Sequence, residues 1–228
     1  MTEDIFIRRS KLNIVQVCEM AKQEPGRRER KKDETRQRIV ERAMELVARQ
    51  GYEEVTMEQI AAAADVAKGT LYNYFPVKEA IVGAYMRTCA RRAAPEVARL
   101  VAEAADTRER LMGLFVGVAQ WQGEQRELYR HYLAYRMPQL LESLRNPELR
   151  SGFEQNLQLI IQRGVDDGEL RGDLPVATLS GYLESAYLMV MLSWLALDDY
   201  DYKAGLLQMV DMFLSGAQLQ PGGARHES

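Results

Sequence analysis

A short stretch early in the chain carries side chains that suit the recognition of nucleic acid. It reads DVAKGTLYNYFPVKEA, from Asp65 to Ala80, and it holds two lysines, three aromatic residues and one proline. Lysine and tyrosine can donate hydrogen bonds to phosphate oxygens, and lysine, threonine and asparagine can contact base edges in a DNA groove. The chemistry that this composition supports is therefore binding to DNA.

Two residues of the stretch are spaced to anchor it against a core. Leu71 and Phe75 are four positions apart, so they share one face of a helix, and we predict that this face is buried. Lys68 can then donate to guanine, Asn73 can pair with adenine, and Gly69 lets the helix lie close to the groove. The predicted DNA-contacting residues are Thr56, Lys68, Gly69, Thr70, Tyr72, Asn73, Tyr74 and Lys78.

A helix-turn-helix would position these residues. The segment TMEQ, from Thr56 to Gln59, is a capping box that predicts a helix over about 57–64. A second short helix is predicted over 68–75, because Pro76 closes it. In such a motif the second helix enters the major groove. Lys78 begins the next helix, where free backbone amides favour a phosphate.

Apolar residues recur at helical spacing along almost the whole chain, and no run alternates with a period of two. The sequence therefore predicts an all-α fold. The first helix is predicted over 33–50, and the fourth over about 78–105 with a bend near Pro95. Later helices are predicted over 107–122, 127–143, 147–164, 176–197 and 202–217.

Composition argues against several other classes of protein. No apolar run is long enough to cross a membrane, and the first residues lack the pattern of a secretory signal, so we expect no membrane partner and a cytoplasmic location. Cys18 and Cys89 have no partner at a zinc-site spacing, and His131 and His226 lack the spacing of metal or acid–base motifs. We therefore expect no cofactor, no metal site and no catalytic site.

The charge is divided unevenly along the chain. Residues 20–78 contain twelve Lys and Arg against ten Asp and Glu, whereas residues 79–228 contain fifteen against twenty. A mildly basic first part and an acidic remainder suit two different tasks. The run RRERKK, from Arg27 to Lys32, is either an arm that contacts DNA or a solvated, disordered segment.

The stretch from Thr35 to Met86, above all TMEQIAAAADVAKGTLYNYFPVKEAI, resembles the DNA-binding domain of the tetracycline-repressor (TetR) family of transcriptional regulators. The resemblance covers about a quarter of the chain. It implies a homodimer with an N-terminal three-helix helix-turn-helix domain and a C-terminal helical domain that binds a small effector and dimerises. It also implies DNA contacts at Thr56, Lys68, Gly69, Thr70, Tyr72, Tyr74 and Lys78.

Two positions depart from the family pattern. Asp65 stands where a glycine is usual in the turn, and Ala67 stands where a serine usually caps the recognition helix. Aspartate tolerates the left-handed conformation less freely than glycine, and alanine offers no side-chain cap. Both departures leave the exact pose of the recognition helix open.

These observations predict four segments: an N-terminal arm over 1–32, a DNA-binding domain over 33–93 with its helix-turn-helix at 56–75, an effector-binding and dimerisation domain over 94–218, and a disordered tail over 219–228. The predicted function is that of a homodimeric repressor, which a small hydrophobic effector releases from double-stranded operator DNA. A transcriptional activator of the same fold, a helical protein-interaction module without DNA binding and a small helical enzyme remain as alternatives.

The effector site is predicted in the C-terminal helices, among aromatic and methionine side chains with a few polar groups to orient a ligand. The acidic second part of the chain would favour a cationic ligand. The candidate residues are Trp121, Glu124, Tyr132, Tyr135, Arg136, Glu184, Tyr187 and Met191. The dimer is predicted to form mainly through the last two helices, because their apolar content exceeds what packing on one core requires. That content includes Leu183, Leu188, Val190, Leu192, Leu206, Met209 and Phe213.

Overall fold

The computed structural model describes residues 27–123, 125–146 and 150–217, and these residues form helices and no β-strand. The all-α prediction is therefore confirmed. The helices are α1 (Arg27–Gln50), α2 (Met57–Ala63), α3 (Lys68–Tyr74), α4 (Lys78–Glu103), α5 (Thr107–Gly123), α6 (Arg126–Arg136), a 3₁₀ helix (Met137–Gln139), α7 (Leu140–Arg145), α8 (Phe153–Asp166), α9 (Val176–Ala196) and α10 (Tyr202–Ala217). Within the described ranges, no helix is both long enough and apolar enough to span a bilayer.

Helix α1 begins six residues before its predicted start, so the basic run from Arg27 to Lys32 is helical. Contacts one turn apart support this extension. Arg30 Nε lies 3.6 Å from a carboxylate oxygen of Glu34, and the Thr35 hydroxyl donates to the carbonyl oxygen of Lys31 over 2.9 Å. Side-chain pairs at this spacing stabilise a helix modestly. A count of the charges in the basic run does not show this stabilisation.

The helix predicted over 127–143 is divided in the structure, and the cause is Pro138. Helix α6 ends at Arg136, and a 3₁₀ turn leads into α7 at Leu140. Proline has no backbone N–H, so the α-helical hydrogen-bond ladder is interrupted there. The side-chain amide of Gln139 donates to the carbonyl oxygen of Tyr135 over 3.2 Å. Helix α4, by contrast, continues through Pro95.

Helix α8 begins at Phe153, later than predicted, and it follows Gly152 in the left-handed conformation at φ 84°. The predicted start at residue 147 lies outside the described residues. A left-handed residue cannot lie inside a right-handed helix, so Gly152 sets the observed boundary.

The chain forms two compact units. Of the described residues, 27–92, 125–146 and 150–151 make up the first unit, and 93–123 and 152–217 make up the second. The first unit thus holds α6 and α7 in addition to the region of the predicted helix-turn-helix.

The core of the first unit fixes the predicted recognition helix. Leu71 is 0% exposed and Phe75 is 1% exposed, which confirms the predicted anchor. They belong to a cluster that also contains Ile39 of α1, Ile60 of α2 and Ile81 of α4. Complete burial of an apolar side chain of this size stabilises the fold by about 1.5–3 kcal/mol. Helix α3 is therefore held by its apolar face, while its opposite face remains exposed to solvent.

The second unit is built from α5, α8, α9 and α10 around buried side chains such as Phe115, Ile160 and Val210. Arg110 of α5 is buried at its rim and pairs with Asp167 over 3.0 Å and Glu169 over 3.6 Å. Because these carboxylates follow α8, the ion pairs tie the start of α5 to the turn at the end of α8.

Candidate nucleic-acid interface

The first helix of the motif begins at the predicted capping box. The Thr56 hydroxyl accepts a hydrogen bond from the Gln59 backbone N–H over 3.2 Å, and the Gln59 side-chain oxygen accepts one from the Thr56 N–H over 2.8 Å. Two backbone donors that a helix start leaves free are thereby satisfied. The start of α2 is thus fixed, with Thr56 exposed to solvent.

The turn between α2 and α3 depends on a left-handed residue. Asp65 has a φ of 50° and is the one non-glycine residue with a positive φ in the described part of the chain. The Val66 N–H then donates to the Ala61 carbonyl oxygen over 3.0 Å, which closes the turn. Ala67 precedes α3 and provides no side-chain cap. As expected from the two departures from the family pattern, the turn holds a left-handed aspartate in place of glycine, and α3 begins without a side-chain cap.

Helix α3 presents its polar residues to solvent. Lys68, Gly69, Asn73 and Tyr72 are exposed, the last by 41%. Thr70 and Tyr74 are half-buried. The structure therefore brings six of the eight predicted DNA-contacting residues together on one short element, with Thr56 at the start of the neighbouring helix.

Gly69 is not required by packing within the protein. A Cβ atom built at this position would meet no atom within 4 Å, and the backbone is helical there. A glycine in a helix is less stable than alanine by about 1 kcal/mol, so the position carries a cost without an internal reason. The close approach of a binding partner to the backbone of α3 would supply such a reason.

Glu58 is a residue of this surface that sequence reasoning missed. The Lys68 ammonium group forms an ion pair and hydrogen bond with the Glu58 carboxylate, across the turn of the motif. This hydrogen bond raises the pKa of Lys68 and lowers the pKa of Glu58. A carboxylate can accept from the N4 amino group of cytosine, so the pair presents both a donor and an acceptor. The only indication of Glu58 in the sequence is its place as an acidic residue in the first turn of α2.

Lys78 has internal partners that its predicted role did not include. Its ammonium group donates to the carbonyl oxygens of Tyr52 over 2.6 Å and Val55 over 2.8 Å. It also lies 4.1 Å from the centre of the Tyr52 ring. An ammonium group has three protons, so these bonds leave one for a phosphate. Lys78 therefore ties the segment that precedes α2 to the start of α4.

The Tyr52 side chain is held on several sides. Its hydroxyl donates to Glu79 over 2.9 Å, and its ring stacks on His131 of α6 with centroids 4.4 Å apart. His131 Nε2 lies 2.7 Å from a carboxylate oxygen of Glu53. Burial, followed by the hydrogen bond to Glu79, raises the pKa of the Tyr52 hydroxyl, which stays neutral at physiological pH. Helix α6 thus contacts the segment that precedes α2.

The eight predicted effector residues do not fall within one unit. Tyr132, Tyr135 and Arg136 belong to the first unit, and Glu184, Tyr187 and Met191 belong to the second. Glu124 and the side chain of Trp121 lie outside what the structure describes.

The second unit contains an aromatic cluster around Tyr187. The Tyr187 ring lies 5.1 Å from Phe115 and 5.1 Å from Phe153, measured between centroids. The Tyr202 hydroxyl donates to the Met191 sulfur over 3.0 Å, and Trp194 stacks on Tyr202 at 4.9 Å. Sequence reasoning missed Phe115, Phe153 and Tyr202, because their convergence depends on how α5, α8, α9 and α10 pack together.

Each of the last two helices carries exposed apolar side chains. Tyr182 and Met189 of α9 are 64% and 63% exposed, and Met212 of α10 is 67% exposed. Four of the apolar residues on which the dimer prediction drew are buried in the core of the second unit: Leu183, Val190, Leu206 and Met209. Apolar content alone does not reveal which side of a helix faces its own core, and the dimer through these helices stays a prediction.

Comparison with known proteins agrees with this geometry. A model of the family described as bacterial regulatory proteins, tetR family, matches residues 39–85. Over 57 residues the chain is 44% identical to the HTH-type transcriptional regulator TcmR of Streptomyces glaucescens, covering 25% of each chain. Over 65 residues it is 42% identical to the HTH-type transcriptional repressor KstR of Mycobacterium tuberculosis, covering 28% of this chain and 29% of that protein. The chain thus matches less than a third of the length of these two relatives.

A solved structure is similar over a longer stretch. The Thermus thermophilus protein FadR, described as a TetR-family transcriptional repressor in complex with lauroyl-CoA, has a TM-score of 0.68 and 27% sequence identity. The similarity covers 84% of this chain and 100% of that one.

Proposed function

We propose that this chain is a member of the tetR family of bacterial regulatory proteins, whose model matches residues 39–85, and that it is a transcriptional repressor that binds double-stranded operator DNA through α3. The observation that carries the proposal is the exposed polar face of α3, from Lys68 to Asn73, on a helix anchored by Leu71 and Phe75. A helix presented in this way can enter a major groove without unfolding the core. The relatives are named as regulators rather than enzymes, which supports this class.

We assign the two tasks of such a regulator to different parts of the chain. Residues 33–93 carry DNA binding, and residues 94–218 carry effector binding and dimerisation. Operator DNA is the partner of α3, so the protein acts in the cytoplasm, where bacterial DNA is found.

The effector in this proposal is a small molecule with a long apolar chain. The rings of Phe115, Phe153 and Tyr187 form an apolar cluster in the second unit, and apolar and aromatic surfaces of this kind suit hydrocarbon ligands. The similar Thermus thermophilus repressor was solved with lauroyl-CoA. We therefore favour a fatty-acyl compound over the cationic ligand that the acidity of the chain suggested.

The repressor in this proposal is a two-fold dimer that uses the exposed face of α9 and α10. Tyr182 and Met189 are seven residues apart, so they lie on one side of α9, and Met212 adds an apolar side chain from α10. Pairing two such faces removes them from water. Two reading helices must then match half-sites about 34–36 Å apart on DNA.

The proposed release by effector is tested with fluorescent DNA. The DNA is a duplex that the chain selects from a random pool, and its anisotropy is followed while lauroyl-CoA is added. A ligand releases DNA only if it favours a conformation with lower DNA affinity, so the expected result is complete release at saturation. A thermal shift with lauroyl-CoA but unchanged DNA affinity at saturation would contradict the effector mechanism.

A further inference from the structure

Glu154, in the first turn of α8, is a buried acidic residue to which the proposed function gives no role. The residue is 7% exposed, and its side-chain oxygen Oε2 is buried without a hydrogen-bond partner. A glutamate is almost never buried in this way unless a partner satisfies its carboxylate, because burial removes the water that otherwise binds it. The fold therefore encloses an acceptor atom and leaves it unpaired.

Helix formation explains why an acid stands at this position, but not why its oxygen lacks a partner. Glu154 is the second residue of α8, which begins after Gly152 with no side-chain cap. A negative charge in the first turn of a helix is favourable, since backbone N–H groups are free there. An exposed carboxylate would give the same benefit without the cost of burial. The burial of this side chain thus needs a second reason.

Two buried donors of the second unit cannot supply the missing partner. The Arg110 guanidinium pairs with Asp167 over 3.0 Å, and Asp167 follows the last residue of α8. Thirteen residues separate Asp167 from Glu154, which is about 20 Å along an α-helix. The hydroxyl group of Ser180, which is also buried, donates to the Val176 carbonyl oxygen over 2.7 Å. Both donors are therefore engaged elsewhere.

An aromatic surface adjoins the Glu154 carboxylate. Phe153 immediately precedes Glu154, so their Cα atoms are about 3.8 Å apart. The Phe153 ring lies 6.1 Å from Phe115 and 5.1 Å from Tyr187, measured between centroids. Phe153 is only half-buried, so part of its surface is open to a ligand. An apolar cluster with a polar group beside it is typical of small-molecule sites, in which a few polar groups orient the ligand.

We propose that the Glu154 carboxylate accepts a hydrogen bond from a hydroxyl or amine group of the effector, whose hydrocarbon part lies against Phe115, Phe153 and Tyr187. This inference rests on the proposed effector site and deepens it. An ionised carboxylate only accepts hydrogen bonds, so it selects a ligand that brings a donor. A hydrogen bond to a carboxylate is also stronger than one between neutral groups. A hydroxylated chain and a chain with a cationic amine share this chemistry.

Glu154 would also discriminate against chains that carry no donor. Such a ligand would cover the carboxylate and leave it unpaired, and sites with buried polar groups reject analogues that lack the matching group. The aromatic rings would then supply affinity for hydrocarbon in general. Glu154 would supply the choice among chains of equal length.

The test is isothermal titration calorimetry of the full chain with three probes of equal size: decanol, decylamine and methyl nonyl ether. The first two carry a donor, and the ether carries none. The wild type should bind one molecule per chain and prefer the alcohol or the amine to the ether by at least about tenfold. Tighter binding of the amine identifies a cationic effector, and tighter binding of the alcohol identifies a hydroxylated one.

Two variants of Glu154 assign the preference to its carboxylate. Glu154→Met removes the acceptor at similar side-chain length, so it should lose the preference for donors over the ether. Glu154→Gln keeps an acceptor oxygen without the charge, so it should still prefer decanol to the ether but lose at least tenfold in affinity for decylamine. The matched control is Glu103→Met, also in the second unit, because the Glu103 side chain is 62% exposed and pairs with Arg99. The control should keep the wild-type preferences.

Thermal unfolding separates a lost site from a lost fold. Both Glu154 variants remove an unpaired buried carboxylate, so they should unfold at the wild-type temperature or above. If Glu154→Met unfolds at a lower temperature, Glu154→Gln decides, and unchanged decylamine affinity in that variant overturns the proposal.

The proposal is also overturned if the wild type binds the three probes equally or binds none, or if a stable Glu154→Met keeps the preference for donors. Equal binding overturns this proposal alone, whereas the proposed effector cluster fails only if none of the three probes binds. Failure of lauroyl-CoA to release DNA would change neither reading.

Discussion

The ammonium group of Lys68 donates to the carboxylate of Glu58, so the first residue of α3 is tied to the helix that precedes it. In the proposed DNA complex, Lys68 is the residue best placed to donate to guanine, so it must share its ammonium protons with Glu58 or leave it. Glu58 would also bring a negative charge close to the DNA phosphates in that complex. The pair therefore limits affinity while it holds the lysine in one orientation.

Replacement of Glu58 by glutamine should raise DNA affinity and weaken sequence preference. The amide removes a charge that repels phosphate and frees Lys68, and exposed ion pairs are weak, so we expect a gain of roughly two- to fivefold. Fluorescence anisotropy with selected and scrambled duplexes measures both effects.

The pKa of Glu58 is lowered from 4.5 in the folded chain, so the pair is lost only as the pH falls through that lowered value. The gain should therefore be equal at about pH 6 and about pH 8. Lower affinity of Glu58→Gln for every sequence would refute this role.

Loss of Lys78 should reduce stability as well as DNA binding. Lys78→Ala removes two hydrogen bonds to the Tyr52 and Val55 carbonyl groups, and we expect the free energy of unfolding to fall by about 2 kcal/mol. Urea denaturation measures this change. Lys68→Ala is the matched control, because the Lys68 side chain is exposed and its ion pair with Glu58 lies at the surface, where such pairs contribute little to stability. Equal stability of the two variants would show that the contacts of Lys78 contribute nothing.

Substitution of Gly69 should separate stability from function. Alanine meets open space there, so Gly69→Ala should stabilise the chain by up to about 1 kcal/mol. The added methyl group would stand between α3 and the floor of the groove, so DNA affinity should fall by at least tenfold. Denaturation and anisotropy of the same preparation report both quantities. If affinity is unchanged while stability rises, α3 does not approach DNA closely at Gly69.

A charge on the exposed face of α9 should prevent dimerisation. Met189→Asp places a carboxylate on a side chain that is 63% exposed in the isolated chain, so folding should survive while a paired face would not. Leu159→Asp, at a position on α8 that is 48% exposed, is the control. Sedimentation velocity at micromolar concentration should give a monomer for the first variant and a dimer for the wild type and the control. A dimer of unchanged stability in Met189→Asp would place the interface elsewhere.

The parts of the fold that depend on neighbouring residues could be predicted from the sequence. The capping box at Thr56, the anchor formed by Leu71 and Phe75, and the left-handed Asp65 each depend on a few adjacent positions. Pro138 was equally visible, and its missing N–H already argued for a break in the helix predicted over 127–143.

Contacts between elements could not be predicted in the same way. The pairing of Glu58 with Lys68 and the donation from Lys78 to Tyr52 arise only when α2, α3 and α4 pack together. The same limit applies to α9, whose apolar residues occur on several sides. Periodicity does not tell which of Leu183 and Met189 faces the core, so the helix itself could be predicted but its exposed side could not.

The most direct test of DNA recognition by α3 is the affinity of the full chain for selected and scrambled duplexes, measured at about 50 and about 200 mM salt. We predict that the selected duplex binds at least about a thousandfold more tightly. We also predict that both affinities fall steeply with salt, and that Lys68→Ala changes which bases are preferred. Equal affinity for both duplexes, or a preference that Lys68→Ala leaves unaltered, would contradict the assignment of α3 as the reading helix.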